Sequence, residues 1–179
     1  MPKKEIILDP VDLITVDAVG KPGQRVFYLL GRKGPKTVSL IIEKFQLQFL
    51  ISSGEKFLDQ IYRKFSQLKA PTADYTEDDM AITPPLNPKF RVGYINLAYD
   101  DALDRVCIIT SEISPESAEK TDSLSVQYWC SRTQFVNLSH WGNIVVERGR
   151  EICPQCLQPM DPSGHFCPKK NGHKKSKKV

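Results

Sequence analysis

Residues 153–167 read Cys-Pro-Gln-Cys-Leu-Gln-Pro-Met-Asp-Pro-Ser-Gly-His-Phe-Cys, and this run concentrates the chemistry-bearing side chains of the chain. Cys153-x-x-Cys156 is the spacing at which two thiolates on one tight turn reach a single metal ion. Asp161-Pro162-Ser163-Gly164 then puts Asp, Pro and Gly at favoured positions of a type I turn. That turn brings the chain back so that His165 and Cys167 complete a tetrahedron, with His173 as the competing fourth ligand. Three soft thiolates and an imidazole match Zn²⁺. A Cys₃His set leaves no open coordination position, so the expected role is structural rather than catalytic. A segment of about 25 residues has almost no core of its own, so the metal would supply its fold.

Other candidates carry less. Cys107 and Cys130 alternate with apolar neighbours in strands and read as buried structural cysteines. His140 falls away from the apolar face of its helix and reads as an ordinary exposed histidine. Lys21, Arg25, Arg32, Lys33 and Lys36 cluster around the first turns and read as solvated charges, with anion binding as the alternative. The chain has no Gly-rich phosphate loop, no nucleophile elbow and no paired-His metalloprotease helix. An active site assembled from scattered residues such as Arg25, Glu43 and Arg91 would escape motif reading.

Charge divides the chain. There are 25 Lys and Arg against 21 Asp and Glu, a net +4. Six of the lysines (Lys169, Lys170, Lys174, Lys175, Lys177 and Lys178) fall in the last eleven residues, which hold no acid. Without that tail the body carries 19 basic and 21 acidic residues, a net −2. A lysine tail can neutralise phosphates and bind nucleic acid in a salt-sensitive way, but this one holds no aromatic for base stacking and no Arg for base edges. The odd count of five Cys and the absence of a signal-peptide core point to a reducing, cytoplasmic setting. No apolar run approaches the roughly 18 residues of a membrane span.

The elements that must hold the cluster follow from hydrophobic period. Ile6 to Leu8 reads as a leading strand stopped by Asp9-Pro10. Leu13 to Val19, Val26 to Leu30 and Val38 to Ile42 read as a meander, with turns at Gly20–Gly23 and from Gly31 to Lys36. From about Glu43 to Leu68 the period becomes helical, with Leu47, Leu50, Ile51, Phe57, Leu58, Ile61, Phe65 and Leu68 on one face. Gly54 lies in the middle of that face, where it would let the helix approach a sheet closely. Residues 69–88, with four prolines and Glu77-Asp78-Asp79, read as an exposed, mobile connector. Phe90 to Tyr99, Arg105 to Ile113 and Leu124 to Cys130 form a second set of strands, and Ser131 caps a second helix to about Arg148.

The expected fold is therefore α+β, two β-meander-plus-helix (βββα) units in a possible tandem repeat. Its parts are residues 1–68, a connector 69–88, residues 89–150, a zinc-binding segment 151–173 and a Lys-rich tail 174–179. Gln24-Arg25-Val26 parallels Asp104-Arg105-Val106, and Val38 to Ile42 parallels Val126 to Trp129.

The run Cys153-Pro154-x-Cys156-x-x-Pro159-x-Asp161-Pro162-x-Gly164-His165-x-Cys167-Pro168-x-x-Asn171-Gly172 resembles that of an uncharacterised bacterial family, domain of unknown function three thousand and ninety, commonest in actinobacteria. Asp9-Pro10, Gly20-x-Pro22-Gly23-x-Arg25, Glu43-Lys44 with Gln46, and Phe90-Arg91-Val92-Gly93 extend the resemblance along most of the chain. The family usually has Gly where this chain has Leu157, and often Tyr where it has His173, which favours His165 as the fourth ligand. The resemblance implies a bacterial cytoplasmic protein and no established activity. Together these readings favour a non-enzymatic binding or assembly module with a structural zinc and a protein partner. Nucleic-acid binding through the zinc segment and Lys tail is the first alternative, and an enzyme with a site no motif marks is the second.

Overall fold

Leu13 to Val19 and Val26 to Lys33 face each other across a turn that needs two left-handed positions, supplied by Gly20 (φ 114°) and Gly23 (φ 92°). These strands, β2 (Leu13–Val19) and β3 (Val26–Lys33), pair antiparallel, and β4 (Lys36–Ile42) adds to β3 to give a three-stranded sheet of order β2-β3-β4. The computed structural model describes residues 4–113, 123–160 and 165–171. β3 runs three residues past its expected end at Leu30 and ends at Lys33. Gly31 lies within the strand, opposite Ile14 and Val38, where a β-carbon would overlap the ring of Tyr128.

The second sheet has four strands: β5 (Val92–Asp100), β6 (Arg105–Glu112) and β7 (Ser125–Ser131), with β1 (Glu5–Leu8) at its edge. The order is β1-β7-β6-β5. The leading strand of the first half thus pairs parallel with the last strand of the second, Glu5 opposite Ser125 and Leu8 opposite Tyr128. The reverse exchange is shorter. Lys89 N donates to Ser39 O (2.9 Å), Ile41 N donates to Phe90 O (3.0 Å), and Ile41 and Arg91 form a parallel bridge. The segment leading into each half therefore lies beside the final strand of the other.

Helices α1 (Lys44–Lys64) and α3 (Arg132–Glu147) follow the same rule. Both begin with a glutamine that bonds back to the cap: Gln46 Oε1 accepts from Glu43 N, and Gln134 Oε1 accepts from Ser131 N, each at 2.9 Å. The other arm of each glutamine crosses to the opposite half. Gln46 Nε2 donates to Val92 O (3.0 Å), and Gln134 Nε2 to Val11 O (3.1 Å). α1 stays unbroken through Gly54, but the surface that presses on Gly54 is the Phe135 ring of α3, not a sheet. On α3, Gly142 receives Ile51 of α1, whose Cδ1 lies 2.9 Å from where a β-carbon would stand. α1 ends at Lys64, four residues before the expected Leu68, where Phe65 N closes the last turn on Ile61 O (2.8 Å).

One apolar core fills the space between sheets and helices, with Leu29, Leu40, Leu47, Ile108, Tyr128, Phe135 and Trp141 buried. Trp141 Nε1 donates to Val16 O (2.7 Å), which fixes α3 along β2. The connector is packed at two points. A short helix, α2 (Glu77–Met80), buries Met80, whose carbonyl accepts from Thr15 Oγ1 (2.5 Å). Tyr75 meets Trp141 edge-on.

Strand registers align the halves residue by residue. Phe27–Ile42, Leu29–Leu40 and Gly31–Val38 in the first sheet occupy the places of Val106–Cys130, Ile108–Tyr128 and Thr110–Val126 in the second. This register pairs Arg25 with Asp104 and Val26 with Arg105. The sequence parallel that set Arg25 against Arg105 was therefore one residue out.

Candidate metal centre

After α3 the chain leaves the body at Gly149 and folds on itself. Met160 N donates to Glu151 O (2.7 Å) and Cys153 N to Gln158 O (2.9 Å), with an antiparallel bridge between Ile152 and Pro159. Leu157 N closes the knuckle on Cys153 O (2.9 Å). The return forces Leu157 to φ 59°, a left-handed conformation that glycine adopts without the β-carbon cost. Its side chain is 72% exposed and packs on little. This is the position where the sequence resemblance expects Gly.

The knuckle presents Cys153 and Cys156. Residues 165–167, leading into α4 (Pro168–Asn171), present His165 and Cys167. The four ligand atoms all lie within 4.8 Å of one another. Cys153 Sγ and Cys167 Sγ are 3.9 Å apart, and Cys156 Sγ lies 3.0 Å from His165 Nε2. Sulfurs around a tetrahedral zinc, each about 2.3 Å from the ion, stand about 3.8 Å from one another. Cys153 and Cys167 are buried and Cys156 half-buried, all as free thiols.

Electrostatics favours a thiolate in this pocket. Backbone N–H groups of Cys156 and Gln155 point at Cys153 and hold its thiol down to about 6. Desolvation pushes Cys156 the other way, and Cys153 and Cys167 add to that push. One thiolate thus opposes the next, and a metal cation at the centre would relieve the conflict. The donor set, its spacing and its backbone donors all fit a metal ion.

The remaining sequence candidates separate. His173 lies outside the described residues, as do the turn at 161–164 and Lys174, Lys175, Lys177 and Lys178; Lys169 and Lys170 are exposed on α4. Cys107 and Cys130 are buried, and burial pushes the Cys107 thiol up to about 12 and Cys130 up as well. Inert thiols of this kind are structural. His140 is exposed, with its Nδ1 hydrogen-bonded to the Tyr75 hydroxyl (2.6 Å). Arg91 pairs with Glu43 at the surface, while Arg25 lines a different cleft with Lys44 and Arg150. The three residues of the scattered-site reading are not brought together. Sequence reasoning did not single out Lys44 or Arg150 as site residues; the fold places them beside Arg25 in the cleft.

A family model described as protein of unknown function (DUF3090) matches residues 7–167. The match runs from the leading strand through the last cysteine of the cluster. The chain belongs to the DUF3090 family. No curated protein and no solved structure matches. Among the described residues of this DUF3090 protein, no helix is long and apolar enough to cross a membrane.

Proposed function

We propose that this DUF3090 protein is a non-enzymatic binding or assembly module of the bacterial cytoplasm, acting through a protein partner. In this reading its C-terminal knuckle carries one structural Zn²⁺ on Cys153, Cys156, His165 and Cys167. The observation that carries the reading is the donor set: four protein ligands with ligand atoms within 4.8 Å of one another. Such a set saturates a tetrahedral ion and leaves no position for substrate. What the ion supplies is folding free energy, because the segment's own backbone bonds are few and the metal links its two strands to α4.

The test is elemental analysis of freshly purified protein beside the Cys153→Ser variant. The wild type should hold about one zinc per chain and the variant close to none. Amide exchange should then rise across residues 151–171 while the core strands keep their protection. Freshly purified wild-type protein without zinc removes the metal from the proposal.

A further inference from the structure

A cleft of about 210 Å³ lies where the first turn, the start of α1, the end of α3 and the knuckle meet. Its walls carry Arg25, Lys44 and Arg150, with Phe27, Ile152 and Pro159 as the apolar part. Gly149 forms the floor. A β-carbon on it would stand 3.1 Å from Arg25 Nη2, 3.4 Å from Val146 O and 3.5 Å from Lys44 Nζ, so both cations converge on one point beside a carbonyl at the end of α3. The absence of a side chain at Gly149 keeps that point open.

The second half shows how such a corner is closed. Two residues outward from the Phe27–Ile42 pair stand Arg25 and Lys44; two residues outward from Val106–Cys130 stand Asp104 and Arg132. There Arg132 forms a forked pair with Asp104, Nε to Oδ1 at 2.6 Å and Nη2 to Oδ2 at 2.9 Å. Both arginines also reach a backbone carbonyl beyond their own corner: Arg132 Nη1 donates to Lys69 O (2.7 Å) in the connector, and Arg25 Nη1 to Val145 O (3.0 Å) near the end of α3. Among the described residues, the first corner lacks the carboxylate. Where its counterpart holds Asp104 it holds Arg25, facing a second cation.

Among the described residues, the carboxylates of Asp17 and Glu43 do not replace that charge. Asp17 acts on Arg25 through space, but its oxygens accept from Ala18 N (2.7 Å) and Ile82 N (3.0 Å). Glu43 is taken by Arg91. Among the described residues, neither Arg25 Nη2 nor Lys44 Nζ has a hydrogen-bond or ion-pair partner. Arg25 is half-buried against the Phe27 ring, 5.1 Å from its centroid.

We infer that this cleft binds a small phosphomonoester, its phosphoryl group held between Arg25 and Lys44 above Gly149 and its organic part against Phe27, Ile152 and Pro159. A dianionic phosphoryl group answers two converging cations and offers three acceptor oxygens to a guanidinium fork and an ammonium. The apolar wall, two of its three residues from the knuckle, gives a short organic body a surface.

The experiment is calorimetric titration of the full-length, metal-loaded protein at low ionic strength with inorganic phosphate, phenyl phosphate and benzoate. Both phosphates should bind saturably, phenyl phosphate the more tightly. Lys44→Gln, an exposed change at the first helical residue, should weaken phenyl phosphate by about tenfold or more, the loss expected for one charge-assisted hydrogen bond. Circular dichroism and melting of that variant should match the wild type. The inference is overturned by the absence of saturable phosphate binding, or by a Lys44→Gln variant that binds as the wild type does. Benzoate binding as tight as phenyl phosphate overturns the phosphoryl assignment.

Discussion

The two halves of this protein share strand registers, capping glutamines and crossed helices, yet they differ at one corner. The second half closes it with the Arg132–Asp104 fork; the first leaves Arg25 and Lys44 facing one another under the Cys/His knuckle. A duplicated fold can keep the same backbone at both corners because the hydrophobic core fixes it. What varies is the charge placed there. The closed corner contributes to stability, and the open one is free to recognise a ligand. The difference lies in two residues and not in the architecture.

The crossed helices are the shared part, and breaking them should produce the largest effect in the body. Gly54 and Gly142 sit ten residues into α1 and α3, each under a side chain of the other helix. Gly54→Ala forces a methyl into the ring of Phe135, which is fully buried. Overpacking of this kind costs about 1–3 kcal/mol, offset in part by about 1 kcal/mol of helix propensity. Urea denaturation should show a net loss of up to about 2 kcal/mol. Gly142→Ala should cost less, since it meets the tips of Ile51, Val16 and Leu47 at 2.9, 3.3 and 3.4 Å. Adding Phe135→Leu to Gly54→Ala should recover part of the loss, because the two changes share one space. Equal and small effects at both glycines would mean the helices do not depend on close approach.

Much of this was readable in the sequence, and what escaped had physical causes. The α+β class, the strand and helix sequence and the Cys/His cluster each rest on local signals: period, turn residues and ligand spacing. The cap at Ser131 was visible because capping is local, too. What pairs with what is not local. Ile6 to Leu8 reads as a strand in any context, but nothing in those residues names β7 as its partner. Gly54 announced a close approach, and the identity of the approaching group depended on how α3 crosses. The Arg25–Lys44 corner stayed hidden for a similar reason. The two residues are separated by a whole hairpin, and a one-residue error in the repeat register set Arg25 against Arg105 and hid the contrast with Asp104.

The closed corner can be opened. Arg132 is 12% exposed and Asp104 45% exposed as side chains, and Tyr99 adds a hydrogen bond to Asp104 Oδ1 (2.7 Å). Asp104 sits at φ 51°, a conformation that Asn tolerates as well as Asp, so Asp104→Asn removes the charge without straining the turn. With solvent reaching half of the carboxylate, the expected loss is about 1 kcal/mol at pH 7. The Arg132 fork holds the Asp104 carboxyl below its ordinary value of 3.8, with Tyr99 helping and desolvation opposing. A depressed folded value means that the stabilisation is complete above that ordinary value and is lost as pH falls through the folded one. The gap between wild type and Asp104→Asn should therefore be widest near neutrality and close as pH drops below about 4. A gap that stays constant into acid would show that the carboxylate's charge contributes nothing.

The reverse change is the smallest and the most discriminating. Lys44→Glu would give the first corner a carboxylate beside an arginine, as in the second half. Lys44 is exposed at the first turn of α1, where a negative charge also favours the helix dipole, worth about 0.3–1 kcal/mol. An exposed pair with Arg25 adds at most about 1 kcal/mol. Thermal melting should rise by about 2 °C, since about 1 kcal/mol moves a chain of this size by about 2–4 °C. The same variant should lose phosphate binding, because the new carboxylate occupies the place of the ligand's charge and repels it. Stability and binding then move in opposite directions from one substitution. A corner whose cations serve only to cap α3 would lose stability on that change, because Glu would face the carbonyl end of the helix that Arg25 now holds at Val145.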